Sequence, residues 1–282
     1  MSTTVFLAVV LAALLHAVWN ALVKGGTDKH LGMAAVSLGT APFALAVLPF
    51  APPVDSAALP WIVASIALHL GYQLFLLAAY KIGDLTQVYP LARGSAPLIV
   101  TLYSVFVLGV VLDQLQLLAV LLIAAGIISL ALVRKRDGLR NRKAAILALG
   151  TGAFIAAYSL VDGLGARASG SPLGFYAYVG LGTALGFGLV TLVMRPEVLP
   201  RLATEGRRMF FIGGGCSFAA YSLVVWAFTH APIALVTALR ETSIVFALMI
   251  GVFALGERLD LGKLVSTATT LMGAVLLRAA KS

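Results

Sequence analysis

The sequence predicts an all-α integral membrane protein of ten transmembrane helices, arranged as two inverted five-helix repeats. Composition, the length of the apolar runs and an internal echo between the halves carry that prediction. Of 282 residues, 61% are hydrophobic and only 11% charged, too few polar groups to clothe a water-soluble domain. A hydrocarbon core of ~30 Å needs roughly 20 apolar residues per spanning helix, and runs of that length follow one another along the chain. Lipid offers no partner to backbone N–H and C=O groups, so such runs must be helical; a barrel would show short alternating segments instead.

Taken in order, the spans fall near residues 5–23, 31–50, 61–80, 85–110, 115–133, 144–166, 172–193, 209–230, 232–255 and 261–278. The first places His16, Trp19 and Asn20 on one face. The third gathers His69, Tyr72, Gln73 and Tyr80 on or near one face. In the fourth, Tyr89, Arg93 and Pro97 recur every four residues, and Pro90, Gly94 and Pro97 predict a locally loosened helix. The sixth carries Tyr158 and Asp162, and the seventh has Gly180, Gly182, Gly186 and Gly188, a small-residue pattern for close helix packing. The eighth holds Ser217, Tyr221 and the single Cys216, a small packing residue. The ninth holds Thr237, Arg240, Glu241 and Thr242. Trp61, Tyr80 and Trp226 lie near span ends, where amphipathic rings anchor at the interface.

Sliding the chain on itself by 147 residues aligns Arg93 with Arg240, and residues 93–130 then share ten identities with 240–277. Leucine matches weigh little between apolar helices. The arginine, Gly109/Gly256, Asp113/Asp260 and Gly126/Gly273 weigh more. The repeats are residues 1–133 and 144–282, separated by the basic linker 134–143 (RKRDGLRNRK). An odd number of helices per repeat inverts the second copy, an arrangement secondary transporters use with the substrate near the midplane.

The net charge of +9 is a topology signal, not a sign of nucleic acid. Alternate loops collect fifteen basic residues on one side against Arg167, Arg278 and Lys281 on the other, with Arg93 and Arg240 inside the membrane. Basic loops stay cytoplasmic, so this bias places the chain in an inner membrane with both termini outside the cytoplasm.

A charge at mid-bilayer costs about 2.5–3.5 kcal/mol even on the lenient scale, so intramembrane charges usually face a cavity. Repeat symmetry sets Arg93 and Arg240 at equivalent depth, where two planar guanidinium forks would hold a carboxylate, phosphate or phosphonate. The competing reading pairs Glu241 with either arginine as a structural bridge. Tyr89, Trp19, Asn20, Gln73, Tyr158 and Tyr221 would shape the cavity, and Glu241, Asp162 and His16 are the candidate titrating groups if protons drive transport. Asp162-Gly163-Leu164-Gly165-Ala166-Arg167 opens like a metal-dependent phosphotransferase signature, but the segment after it holds no further acid. No Walker-type phosphate loop and no paired-histidine metal motif is present, so neither an enzyme nor a cofactor is expected.

With ten spans, an inverted repeat and the segment FALGERL (Phe253 to Leu259), the chain resembles the drug/metabolite transporter superfamily, EamA type. HAVWNALVK (His16 to Lys24) is similar to the start of one EamA subgroup. The resemblance implies a cavity lined by helices 1, 3, 4, 6, 8 and 9, with alternating access between the halves. It also implies export or exchange of small metabolites or drugs. The first repeat departs from the pattern in having Gly109-Val110 where the second has Gly256-Glu257. Members usually keep both termini in the cytoplasm, opposite to the charge bias. The expected function is secondary transport of a small anionic or zwitterionic metabolite such as an amino acid. The alternatives are export of cationic or hydrophobic compounds on Glu241 and Asp162, and a membrane protein that transports nothing.

Overall fold

Buried backbone in an apolar medium must pair with itself, and helices are the local way to do so. The computed structural model describes residues 1–26, 28–82, 85–132, 142–253 and 261–280, and these hold helices and turns with no strand. The helices are α1 (Thr3–Gly25), α2 (Lys29–Gly39), α3 (Ala41–Val47), α4 (Leu59–Ile82), α5 (Leu85–Phe106), α6 (Gln114–Leu132), α7 (Arg142–Ala168), α8 (Pro172–Met194), the short α9 (Val198–Arg201), α10 (Gly214–Phe228), α11 (Ile233–Arg240), α12 (Ser243–Phe253) and α13 (Leu261–Ala279). Among the described residues, seven segments are long and apolar enough to cross a bilayer: Thr3–Val23, Lys29–Phe50, Ser56–Ala79, Arg142–Ala168, Pro172–Met194, Met209–Phe228 and Ile233–Phe253. Leu91–Phe106, Gln114–Ser129 and Leu264–Ala279 are apolar but shorter. Most of the basic linker, and residues 254–259 of FALGERL, lie outside the described residues.

Helix ends follow local chemistry. Ser171 accepts from the Gly174 amide at 3.3 Å ahead of Pro172, which needs no donor in the first turn. Asp113 and Gln116 form a reciprocal capping box at the start of α6, at 2.7 and 3.2 Å. Gly109 takes a left-handed φ of 66° in the turn before it, a conformation that costs glycine little.

The interruptions are not where prolines predict them. α5 runs as one helix through Pro90, Gly94 and Pro97, so these residues do not interrupt the fourth span. Bilayer helices tolerate proline where local adjustment and neighbouring groups re-satisfy the freed carbonyls. The expected ninth span, written as one helix, instead breaks between α11 and α12 at Glu241 and Thr242. There the amides of Glu241, Thr242, Ile244 and Val245 each bond three residues back, at 2.9–3.1 Å. That tight turn lets Arg240, Glu241 and Ser243 leave the axis in different directions. A π-turn, Met209–Gly213, leads into α10.

α1 packs on α10 and α12, α4 on α7 and α8, α5 on α6, α7 and α11, and α6 on α13. Small residues allow the closest approaches. A Cβ on Gly39 of α2 would overlap the Phe210 carbonyl, and one on Gly214 of α10 would overlap the Gly39 backbone. Gly126 and Gly273 do the same for α6 and α13: each Cβ would meet the partner helix's backbone oxygen, at 2.9 and 2.8 Å. On α8, Gly182 and Gly186 seat Ile66 and Leu70 of α4, which matches the close packing expected of this span.

At one end of the bundle Asp28 caps α2, accepting from the His30 and Leu31 amides at 3.0 and 3.1 Å. It also meets Arg201 at 2.9 Å and Arg195 at 3.5 Å, tying the α1–α2 turn to the segment after α8. Partial burial raises the Asp28 carboxyl, but the Leu31 amide and the two arginines together hold it below the ordinary carboxylate value. A carboxyl depressed in the folded state stabilises above its unfolded value of about 3.9 and loses that contribution as pH falls through the folded value. Asp28→Ala is expected to cost about 1–2 kcal/mol near neutrality, through lost cap and ion pairs. Comparing thermal unfolding of variant and parent in detergent checks this, and the gap should close in acid below about pH 4.

Candidate functional site

Helices that approach through glycine leave room elsewhere, and between them lies a cavity of about 100 Å³. At roughly 10–15 Å³ per water, this holds several waters or one small ligand. α1 contributes Ala12, His16 and Trp19; α2 contributes Met33, Val36 and Ser37, with Thr40 in the turn after it. His69, Tyr72 and Gln73 come from α4, and Tyr158 from α7. α8 supplies Tyr176, Val179, Gly180 and Thr183; α10 supplies Ser217, Ala220, Tyr221 and Val224; α11 supplies Arg240. Walls thus come from the second and seventh spans as well as from helices the resemblance names, and among the described residues none comes from α5.

Arg240 is the cavity's cation. It is 2% exposed, its Cζ lies 5.8 Å from the Tyr221 ring centroid, and its Nη2 stands 3.7 Å from Glu241 Oε1. Neither its Nε nor its Nη2 has a hydrogen-bond acceptor among the described residues. Arg93 is placed differently. Its Nε meets Glu241 Oε2 at 2.7 Å and its Nη2 donates to Ser243 Oγ at 3.2 Å. Arg93 is absent from the cavity wall. Glu241, 1% exposed, therefore sits between the two guanidinium groups, as the bridging alternative supposes, and one arginine still faces the cavity.

A second polar cluster closes on Asp162, which is fully buried. Its Oδ1 accepts from the Ser65 hydroxyl, and its Oδ2 accepts from the Tyr221 hydroxyl at 2.6 Å and meets His69 Nε2 at 3.0 Å. The His69 ring stacks on Tyr158 at 4.1 Å and meets Tyr221 edge-on at 5.4 Å. Tyr72 and Tyr176 complete a box of rings around Tyr158 and Tyr221, at 5.6 and 4.9 Å.

Trp19 lines the cavity, T-shaped on His16 at 4.9 Å, with its indole Nε1 buried and unpartnered. Gln73 gives Nε2 to Ser37 Oγ at 3.3 Å and leaves Oε1 without a donor. Asn20 turns away: its Nδ2 bonds the His16 carbonyl at 2.8 Å, and it is not on the wall. The side chain of Tyr89 lies outside the described residues. Sequence reasoning missed Ser37, Thr40, Tyr176 and Thr183, small or aromatic groups with no charge to flag them.

Residues 142–279 match the EamA-like transporter family, a member of the drug/metabolite transporter superfamily. No curated protein matches the sequence significantly. Twenty-nine chains of known structure match in fold, and one of them, described only as "Crystal structure of protein", superposes with a TM-score of 0.76 at 20% identity, covering 100% of both chains. At that identity the likeness is one of fold.

Proposed function

With residues 142–279 matching the EamA-like transporter family, we propose that the chain is a secondary transporter of a small anionic or zwitterionic metabolite, working by alternating access around the cavity. One observation carries the substrate class: a buried Arg240 facing a membrane-embedded cavity with two guanidinium nitrogens lacking acceptors. A donor left unsatisfied in a low-dielectric site is costly, and an oxyanion removes that cost. The cavity's size favours a small molecule, and the ring box around Tyr158 and Tyr221 offers π faces to an ammonium group.

Ten crossings in two inverted repeats remain the architecture we propose. Helix packing supports it: exchanging the halves turns the α4–α7 contact into α10–α1, α5–α7 into α12–α1, and α4–α8 into α10–α2, while α6–α13 maps onto itself. Helix 9 is discontinuous and its partner α5 is not, so the break sits in one copy beside the substrate arginine. We also propose inner-membrane insertion with both termini outside the cytoplasm, on the loop charge bias alone.

Arg240→Gln tests the proposal. Glu241 keeps Arg93 at 2.7 Å in that variant, so the fold should survive. Binding of a small carboxylate such as acetate, followed by thermal stabilisation, is expected to weaken about 10- to 100-fold, the worth of a hydrogen bond to a charged group. Unchanged anion binding would remove Arg240 from the site. A second reading, an organic cation held by the ring box, is favoured by Tyr72, Tyr158, Tyr176 and Tyr221. Stabilisation by tetramethylammonium that persists in Arg240→Gln would select it.

A further inference from the structure

Among the described residues four charged side chains are buried: Arg93, Asp162, Arg240 and Glu241. Two are positive and two negative, so the empty site is formally neutral. An anion seated on Arg240 would add an uncompensated negative charge inside the bilayer, a state that low dielectric strongly opposes. We infer that the cavity takes its anion together with one proton, held on His69 against Asp162, so that the loaded site is again neutral. This rests on the reading of Arg240 as the anion site and names its coupling ion.

Geometry selects His69. Asp162 receives hydroxyl donors from Ser65 and Tyr221 and faces His69 Nε2 at 3.0 Å. Ser65, Tyr221 and His69 all turn polar atoms onto Asp162, which places a carboxylate where it can neutralise an imidazolium. With Nε2 hydrogen donated to Asp162, Nδ1 is left to accept a proton from cavity water, forming an imidazolium that the carboxylate neutralises. The other titratable or charged groups around His69 are Tyr158 from α7, Tyr221 from α10, Tyr176 from α8, Arg240 from α11, His16 from α1 and Tyr72 on its own helix. His16 faces the two arginines and has no carboxylate in contact among the described residues, so a proton there would add a third cation without a counter-charge. Glu241 is already held between two guanidinium groups.

Tyr221 joins the two halves of the device. Its hydroxyl binds Asp162 and its ring carries the Arg240 guanidinium. A shift of Arg240 toward a bound anion therefore moves the ring whose hydroxyl supports the proton-holding pair.

The test uses the purified full chain in detergent and two probes, acetate as an anion and glycine as a zwitterion. Calorimetric titration in two buffers of different ionisation enthalpy counts protons taken up per ligand bound. Acetate affinity is expected to rise as pH falls, by up to ~10-fold per unit across the imidazole range of about pH 5–8, with close to one proton taken up. Glycine, already neutral, is expected to bind without proton uptake. In His69→Gln, and in Asp162→Asn as an independent variant, acetate binding should become pH-independent and proton uptake should vanish. Acetate binding without proton uptake in the parent, or uptake that survives both variants, overturns the inference while leaving Arg240 as the anion site. If neither probe binds the parent, it is the Arg240 site that fails. The proton site is then decided by the ligand-free melting temperature, whose dependence between about pH 5 and 8 should shrink in His69→Gln, and a dependence identical to the parent's there overturns it.

Discussion

Replacing Glu241 by alanine is expected to destabilise the protein by about 3–5 kcal/mol, because it removes the acid that two buried guanidinium groups contact. Arg93 and Arg240 are 4% and 2% exposed, and Glu241 is the acid that both of them contact. A buried pair contributes little compared with a well-packed apolar substitute, yet removing one member leaves the other's charge uncompensated. The same logic ranks the other variants. Arg93→Met leaves Glu241 facing Arg240 at 3.7 Å, and Arg240→Gln leaves it on Arg93 at 2.7 Å, so each should cost less than Glu241→Ala. Reversible denaturation of the three variants in mixed micelles measures the order. A Glu241→Ala variant within about 1 kcal/mol of the parent would show that the arginines find other acceptors, and the electroneutral description of the buried set would go with it.

The sequence made the membrane class and the charged residues readable, because lipid penalises polar groups steeply enough to make each one conspicuous. Arg93, Arg240, Glu241 and Asp162 were visible for that reason, and all four are buried. Their division of labour was not readable. Arg93 and Arg240 align when the chain is slid on itself by 147 residues, but one bridges to Glu241 and Ser243 while the other faces the cavity. The difference arises in the backbone, where α5 is continuous and the matching helix breaks at Glu241–Thr242 without a proline or glycine to announce it. Other repeat matches carry architecture. Asp113 caps α6, Gly109 makes a left-handed turn, and Gly126 and Gly273 let α6 and α13 touch. These aligned positions carry parts that build each half, and Arg240 stands out by what Arg93 does not share. His69 lay on a recognised polar face of its helix, but its partner Asp162 is ninety-three residues away, and periodicity within one helix cannot report that contact.

Gly39→Val is expected to be the most damaging uncharged substitution in the described part of the molecule. Overfilling a packed core usually costs about 1–3 kcal/mol, because side chains absorb some of the strain by rotating. Here the overlapping atom is the Phe210 backbone oxygen, and the Gly214 backbone faces Gly39 in return, so no rotamer offers relief. The two helices must part, placing the cost at or above the upper end of that range. Gly180→Ala is the control: its Cβ would meet nothing nearer than 3.9 Å, so stability should be unchanged although the new methyl narrows the cavity. The pair separates packing from binding. α2 and α10 carry Ser37, Ser217 and Tyr221 on opposite sides of that glycine crossing, and prising it apart moves one wall of the cavity from the other. Gly39→Val should therefore lose both melting temperature and ligand binding, and Gly180→Ala only the second. A Gly39→Val protein that melts like the parent would mean that the crossing is loose enough to open and is not a fixed contact of the bundle.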